Sequence, residues 1–317
     1  MGYIETILIC IATVAILMLL TAYICFVRIF LAPKKQVHEE GYIEIPPGDE
    51  YEPHRKQITE WVTTARSMPH RNVEIKSFDG LTLRGKYYES FPNAPIEIML
   101  HGYKGNAERD MTGGIFRSRE CGHNALLVDH RASGESDGKI ISFGINESRD
   151  CLHWIDFVLT EIDPNAQIIL TGISMGAATV LNASGMKLPE NIIAILADCG
   201  YTSNKDIIKK VIREMHLPAE ILYPFARLGA RIFGHFDLDE FSPIEQVKKS
   251  KIPTIFFHGD TDDFVPCEMS KRNYEACAAD KKLVIIKGAA HGLAYPVDKE
   301  CYVKEANEFF SKISKNI

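Results

Sequence analysis

Gly172-Ile173-Ser174-Met175-Gly176 joins a short apolar run, residues 167–171, to a stretch that opens Ala177-Ala178-Thr179-Val180-Leu181. The first run reads as a strand and the second as a helix. A serine at such a turn sits on a sharp, strained backbone that lifts its hydroxyl above the sheet edge. The glycines two before and two after it let strand and helix pass closely, since neither brings a Cβ. Alone the pentapeptide is weak. At average glycine frequency the pattern arises by chance in roughly one chain in ten of this size.

The residues downstream strengthen it. A serine nucleophile needs a base, and the base needs a group that fixes its tautomer. Residues 252–257 read as a buried strand running into His258-Gly-Asp-Thr-Asp-Asp-Phe-Val-Pro266, and residues 282–286 as a strand running into Lys287-Gly-Ala-Ala-His-Gly292. Acid loop and histidine loop thus each follow a strand, in the chain order Ser, Asp, His. Asp260, Asp262 and Asp263 compete for the orienting role, while His291 is flanked by residues small enough to let an imidazole approach the serine. His101 and His258 each precede a glycine at a strand end, but no third ligand completes a metal site around them.

With these residues in view the chain resembles the α/β-hydrolase superfamily, close to its bacterial serine esterase- and peptidase-like members, over residues 71–317. The acid loop is similar to the family pattern His-Gly-x-x-Asp-x-x-Val-Pro, which falls on Asp262. Residues 126–136 are similar to a strand followed by Asp-x-Arg-Gly-x-Gly-x-Ser, from which Ala132 and Ser133 depart slightly; Asp129 and Arg131 there read as structural. The resemblance implies Ser174 as nucleophile, His291 as base and Asp262 as its orienting acid. It also implies an oxyanion hole built from the backbone N–H groups of Tyr103, in His101-Gly-Tyr-Lys-Gly105 after the strand 96–100, and of Met175. No metal or organic cofactor is called for. A serine where dehalogenases of this fold carry aspartate argues against carbon–halogen chemistry.

At 317 residues the chain has room for one large α/β domain and an appendage. Its net charge of −6 and the lack of a basic stripe argue against nucleic acid as a partner. The appendage is N-terminal: no charged side chain lies between Glu5 and Arg28. As a helix those residues would be about 33 Å long, enough to cross a ~30 Å hydrocarbon core. A cleaved secretory signal is the competing reading. Against it stand the length of the run, the lack of Lys or Arg before it, and the lack of a small-x-small site after it. Arg28, Lys34 and Lys35 follow the run and only Glu5 precedes it, which predicts an anchor with the catalytic domain in the cytoplasm. Eight cysteines without paired spacing suit that reducing compartment.

The expected organisation is a transmembrane anchor at 1–32, a proline-containing tether at 33–70 with one short helix, and the hydrolase domain at 71–317. Asp79-Gly80 marks a hairpin at the domain's start. Strands and helices then alternate, which predicts a mostly parallel sheet flanked by helices. Residues 204–249 read as a helical lid insertion with an apolar stripe, Ile221, Leu222, Phe225, Leu228, Ile232 and Phe233. If that stripe faces the site, the substrate is an apolar acyl compound. The function expected is hydrolysis of a carboxylic ester, thioester or amide. An acyltransferase on the same fold and a non-catalytic binding or scaffold protein are the alternatives.

Overall fold

The computed structural model describes residues 2–33 and 41–314. Lys34 and Lys35, two of the charges behind the expected orientation, lie outside the described residues. The chain starts with α1 (Tyr3–Phe30), and a 3-10 turn at Asp49–His54 leads into α2 (Arg55–Ser67). Then come β1 (Arg71–Lys76), β2 (Thr82–Tyr88), β3 (Ile96–Leu100), α3 (Ala107–Glu120), β4 (Asn124–Val128), α4 (Ile145–Phe157), β5 (Ile168–Ile173), α5 (Met175–Ser184) and β6 (Ile192–Asp198). An excursion of α6 (Asn204–Glu214), α7 (Ala219–Phe233) and α8 (Pro243–Val247) precedes β7 (Thr254–Gly259). The chain closes with α9 (Cys267–Ala276), β8 (Lys281–Ile286), α10 (Ala294–Val297) and α11 (Lys299–Ser314).

The eight strands form one sheet in the order β1-β2-β4-β3-β5-β6-β7-β8. β2 pairs antiparallel with β1 and with β4, and every later pairing is parallel. This is the mostly parallel, helix-flanked sheet of the α/β-hydrolase fold. Every residue of β3, β4, β6 and β7 is buried, as expected when helices cover both faces. One face packs Trp154, Leu126 and Phe256, and the other Phe257, Phe309 and Phe310.

A charged group crosses this apolar layer. Glu97 on β3 is fully buried and takes Arg117 of α3, the His123 ring at 2.8 Å and the Thr171 hydroxyl at 2.8 Å. Burial alone would push its carboxyl up, but the Arg117 charge and the His123 contact outweigh that and hold it at about 2, below its ordinary 4.5. A carboxyl depressed on folding contributes stability that is complete above pH 4.5 and lost as pH falls through about 2. Glu97→Gln is expected to lower stability at neutral pH by about 3–5 kcal/mol, because it strands the Arg117 charge in the core. Urea unfolding across pH checks both claims: wild type and variant should converge as the acid limit is approached.

The N-terminal segments pack in part against the rest of the fold. α1 is long and apolar enough to cross a membrane, with a mean hydropathy of 2.7. Its C-terminal third is nonetheless part of the folded body, with Ala22, Phe26 and Phe30 buried, largely against α7. Phe30 meets Phe143 and Phe236 edge-on at 5.7 and 5.4 Å. Residues 41–70 carry one α-helix, α2. Ile58, Val62 and Ala65 of α2 are buried, as their helical spacing predicts.

The apolar stripe of α7 packs in part on α1. Leu222 and Phe233 pack into the cluster formed with Phe26 and Phe30, whereas Ile221 and Ile232 are exposed. Crossing is close at Gly229, where a Cβ would stand 2.4 Å from the Ala22 carbonyl. Gly229→Val is therefore expected to wedge α1 from α7, at a cost of about 1–3 kcal/mol. Limited proteolysis reads this directly, through faster cutting between α1 and α2.

Candidate active site

β5 delivers Ser174 into α5 through a turn that few residues tolerate. Its φ of 55° and ψ of −114° lie outside the ordinary allowed regions, and its N–H is tied to the Asp198 carbonyl at 2.8 Å. Both neighbouring glycines are sterically required. A Cβ on Gly176 would fall 1.9 Å from the Leu100 carbonyl oxygen, and one on Gly172 would fall 2.2 Å from the Gly176 backbone. The strain is held in place by the packed strand, helix and β6 around it.

The Ser174 hydroxyl lies 2.9 Å from His291 Nε2, and His291 Nδ1 lies 2.7 Å from Asp262 Oδ2. With the Nδ1–H donating to the carboxylate, Nε2 is left to accept the serine proton. The three aspartates separate by environment. Asp262 is buried, while Asp260 and Asp263 are exposed. Asp260 accepts from the Gly288 N–H at 2.6 Å, which ties the acid loop to the histidine loop.

Asp262 Oδ1 accepts the N–H groups of Phe264 and Val265 at 2.9 and 2.8 Å, while His258 Nε2 approaches Oδ2 at 3.1 Å. Burial would push this carboxyl up, but the contacts from His258 and His291 hold it well below the usual carboxylate range. His258, a metal-ligand suspect by sequence, thus supports Asp262, and it also meets Ser270 at 2.6 Å. His101 is buried and accepts the His130 N–H at 3.0 Å.

Cys199, Asp262 and His291 present ligand-type atoms all within 4.8 Å of one another. They make a poor metal site. Asp262 and His291 are engaged with each other, and burial pushes the Cys199 thiol well above its ordinary range, whereas a metal needs thiolate.

Met175 begins α5, so its N–H has no partner from within that helix. Tyr103 follows Gly102, whose N–H is fixed by Asp110 Oδ2 at 3.0 Å. A Cβ on Gly102 would stand 3.6 Å from Ser174 Cβ, which puts this loop directly beside the serine. Ser174 and His291 open into a cavity of about 320 Å³ walled by Tyr51, Trp61, Phe264 and Tyr295, with no residue of 204–249 on it. The wall at Tyr51 and Trp61 was not read from the sequence. Tyr51 donates its hydroxyl to the His291 carbonyl at 2.8 Å, and Trp61 stacks on Tyr295 with ring centres 5.3 Å apart. The available signals were the proline-flanked Tyr51 and the helical spacing of Ile58, Trp61, Val62 and Ala65, which reads as packing on the domain.

The sequence pattern of the prolyl oligopeptidase family matches residues 142–316, more than half of the chain. The chain belongs to the prolyl oligopeptidase family. The matched part of this family member holds Ser174, Asp262 and His291 and excludes the loop at 101–105. An uncharacterised protein of Bacillus subtilis (strain 168), YqkD, is 28% identical over 241 residues, covering 76% of this chain and 79% of that one. A polyketide transferase of Stachybotrys chlorohalonatus, ATR5, is 31% identical over 139 residues, covering 43% of this chain and 46% of its own length. Among solved structures, the Pyrococcus furiosus esterase PF2001 superposes with a TM-score of 0.66 at 22% identity, covering 89% of this chain and 98% of that chain. Family and fold together support a hydrolase.

Proposed function

We propose that this protein is a membrane-anchored serine hydrolase acting on an ester, thioester or amide. The observation that carries the reading is the unbroken hydrogen-bonded chain Asp262–His291–Ser174, ending on a strained turn that opens into a cavity. His291 Nε2 takes the hydroxyl proton as Ser174 Oγ attacks the carbonyl carbon. The N–H groups of Tyr103 and Met175 receive the developing oxyanion. The tetrahedral intermediate collapses, and His291 returns the proton to the departing alcohol, thiol or amine. Water, deprotonated by His291 in turn, then frees the acid and restores Ser174. Asp262 stays ionised and stabilises the imidazolium. Rapid labelling by a fluorophosphonate, lost in Ser174→Ala, tests this; an unlabelled wild-type protein rejects it.

For the substrate we propose an apolar acyl group. Support comes from the aromatic and proline walls around Ser174 rather than from the lid stripe, which packs on α1. Each CH₂ buried there contributes up to ~0.8 kcal/mol. Lengthening an ester from two to eight acyl carbons is expected to raise kcat/KM by more than about a hundredfold. A maximum at two to four carbons, or a preference for aminoacyl amides, would end this reading and leave the triad standing. Partial similarity to ATR5, named a polyketide transferase, favours acyl transfer as a second reading. Product analysis with added alcohols and amines separates the two.

Anchoring rests on the exposed part of α1. All its residues before Thr21 are solvent-facing, and from Tyr3 they extend about 27 Å, close to the ~30 Å hydrocarbon thickness. Burial of its C-terminal third against α7 favours an anchor over a cleaved signal peptide. Arg28 closes the helix, and we place the domain in the cytoplasm. All eight cysteines are free thiols, which is compatible with that compartment. Protease added to intact cells should leave the domain whole; its loss there reverses the topology.

A further inference from the structure

We propose that α1 belongs to the catalytic site as well as to the anchor: its last turn positions the loop that carries the Tyr103 N–H. The inference rests on the reading of Ser174 as nucleophile and of that N–H as an oxyanion donor.

A helix ends in carbonyls that have no partner within it. Here three successive ones are taken by loops beside the site. Arg28 O accepts from Lys104 Nζ at 3.4 Å, Ile29 O from the Tyr103 hydroxyl at 2.5 Å, and Phe30 O from the Ile141 N–H at 2.8 Å. Two residues further on, the Ala32 N–H reaches the Lys139 carbonyl at 2.9 Å. The helix end is stitched to both the 101–105 loop and the 139–143 loop.

Tyr103 is held at both ends of its side chain. Its ring lies 4.8 Å from that of Phe143, against which Phe30 also packs, and its hydroxyl is tied to Ile29. On the main chain, Gly102 is fixed through Asp110, and Lys104 adopts a left-handed φ of 53° that costs a non-glycine residue energy unless its surroundings enforce it. The Tyr103 N–H therefore sits between a tethered residue and a strained one, with the α1 carbonyl as the outer support. Displacing a reacting or stabilising group by about 1 Å can cost a hundredfold in rate.

The test uses the full-length protein in detergent micelles. Tyr103→Phe removes one hydroxyl and keeps the ring. It should lower kcat about tenfold, short of the 10²–10³ for losing an oxyanion donor outright. KM should stay within about twofold and the melting temperature should not move. Affinity for a boronic acid that mimics the tetrahedral adduct should fall by the same factor as kcat, which a merely structural hydroxyl would not cause. Phe30→Leu should loosen the packed turn that presents the Ile29 carbonyl to Tyr103, so the double variant should be no slower than the worse single one. Wild-type kcat in Tyr103→Phe, a change confined to KM, or multiplicative effects in the double variant would each overturn the proposal. Fluorophosphonate labelling of the wild type, run alongside, separates its failure from failure of the hydrolase reading.

Discussion

Ser174→Ala is expected to lower turnover by on the order of 10⁶, since a triad acts as one unit and loss of its nucleophile removes nearly the whole effect. The fold should be untouched. The hydroxyl's recorded side-chain contact is with His291, and alanine inherits the same backbone strain at φ 55° without adding to it. Circular dichroism and thermal unfolding should match wild type while ester turnover drops to the level left by the oxyanion donors. A variant keeping a tenth of wild-type activity would take the nucleophile's role away from Ser174.

The acid has the next largest effect, and its neighbour supplies the control. Asp262 accepts on both oxygens, from two backbone N–H groups on Oδ1 and from the two histidine rings on Oδ2. In Asp262→Asn the backbone pair keeps the amide oxygen in place, so the NH₂ faces His291 Nδ1. That favours the tautomer with its proton on Nε2, which cannot accept from Ser174. Turnover should fall by about 10⁴, the scale of tautomer loss in a comparable triad. Asp263→Asn, one residue along but exposed, should stay within a few-fold. Paired steady-state kinetics decide it: the reverse ranking would move the orienting role to Asp263.

What the sequence disclosed about fold and site follows from how local the relevant physics is. The Ser174 turn was legible because its glycines answer a clash within five residues. The strands were legible because burial on both faces leaves near-continuous apolar runs such as 192–197. Choosing Asp262 among three acids needed a loop pattern, since nothing in composition tells a buried aspartate from its exposed neighbours. The stripe of α7 was legible only in part. An apolar stripe such as Leu222 and Phe233 states that a helix face is covered but not by what, and α1 covers it. The cavity wall was the least legible part. Tyr51 meets His291 across 240 residues of chain, and no periodicity encodes a contact of that range.

That long contact has a consequence for the order of events during synthesis. The residue that braces the histidine is made early and the histidine late, 240 residues apart. At about 5–20 residues per second this gap lasts roughly ten to fifty seconds. Throughout it α1 and the Tyr51 segment exist without His291, and Ser174, once made, stands without the ring its hydroxyl meets in the folded protein. On the proposed triad, a nascent chain lacks its base until His291 has been made. The brace from Tyr51 to the His291 carbonyl can form only after that, when an early segment and a late loop first meet.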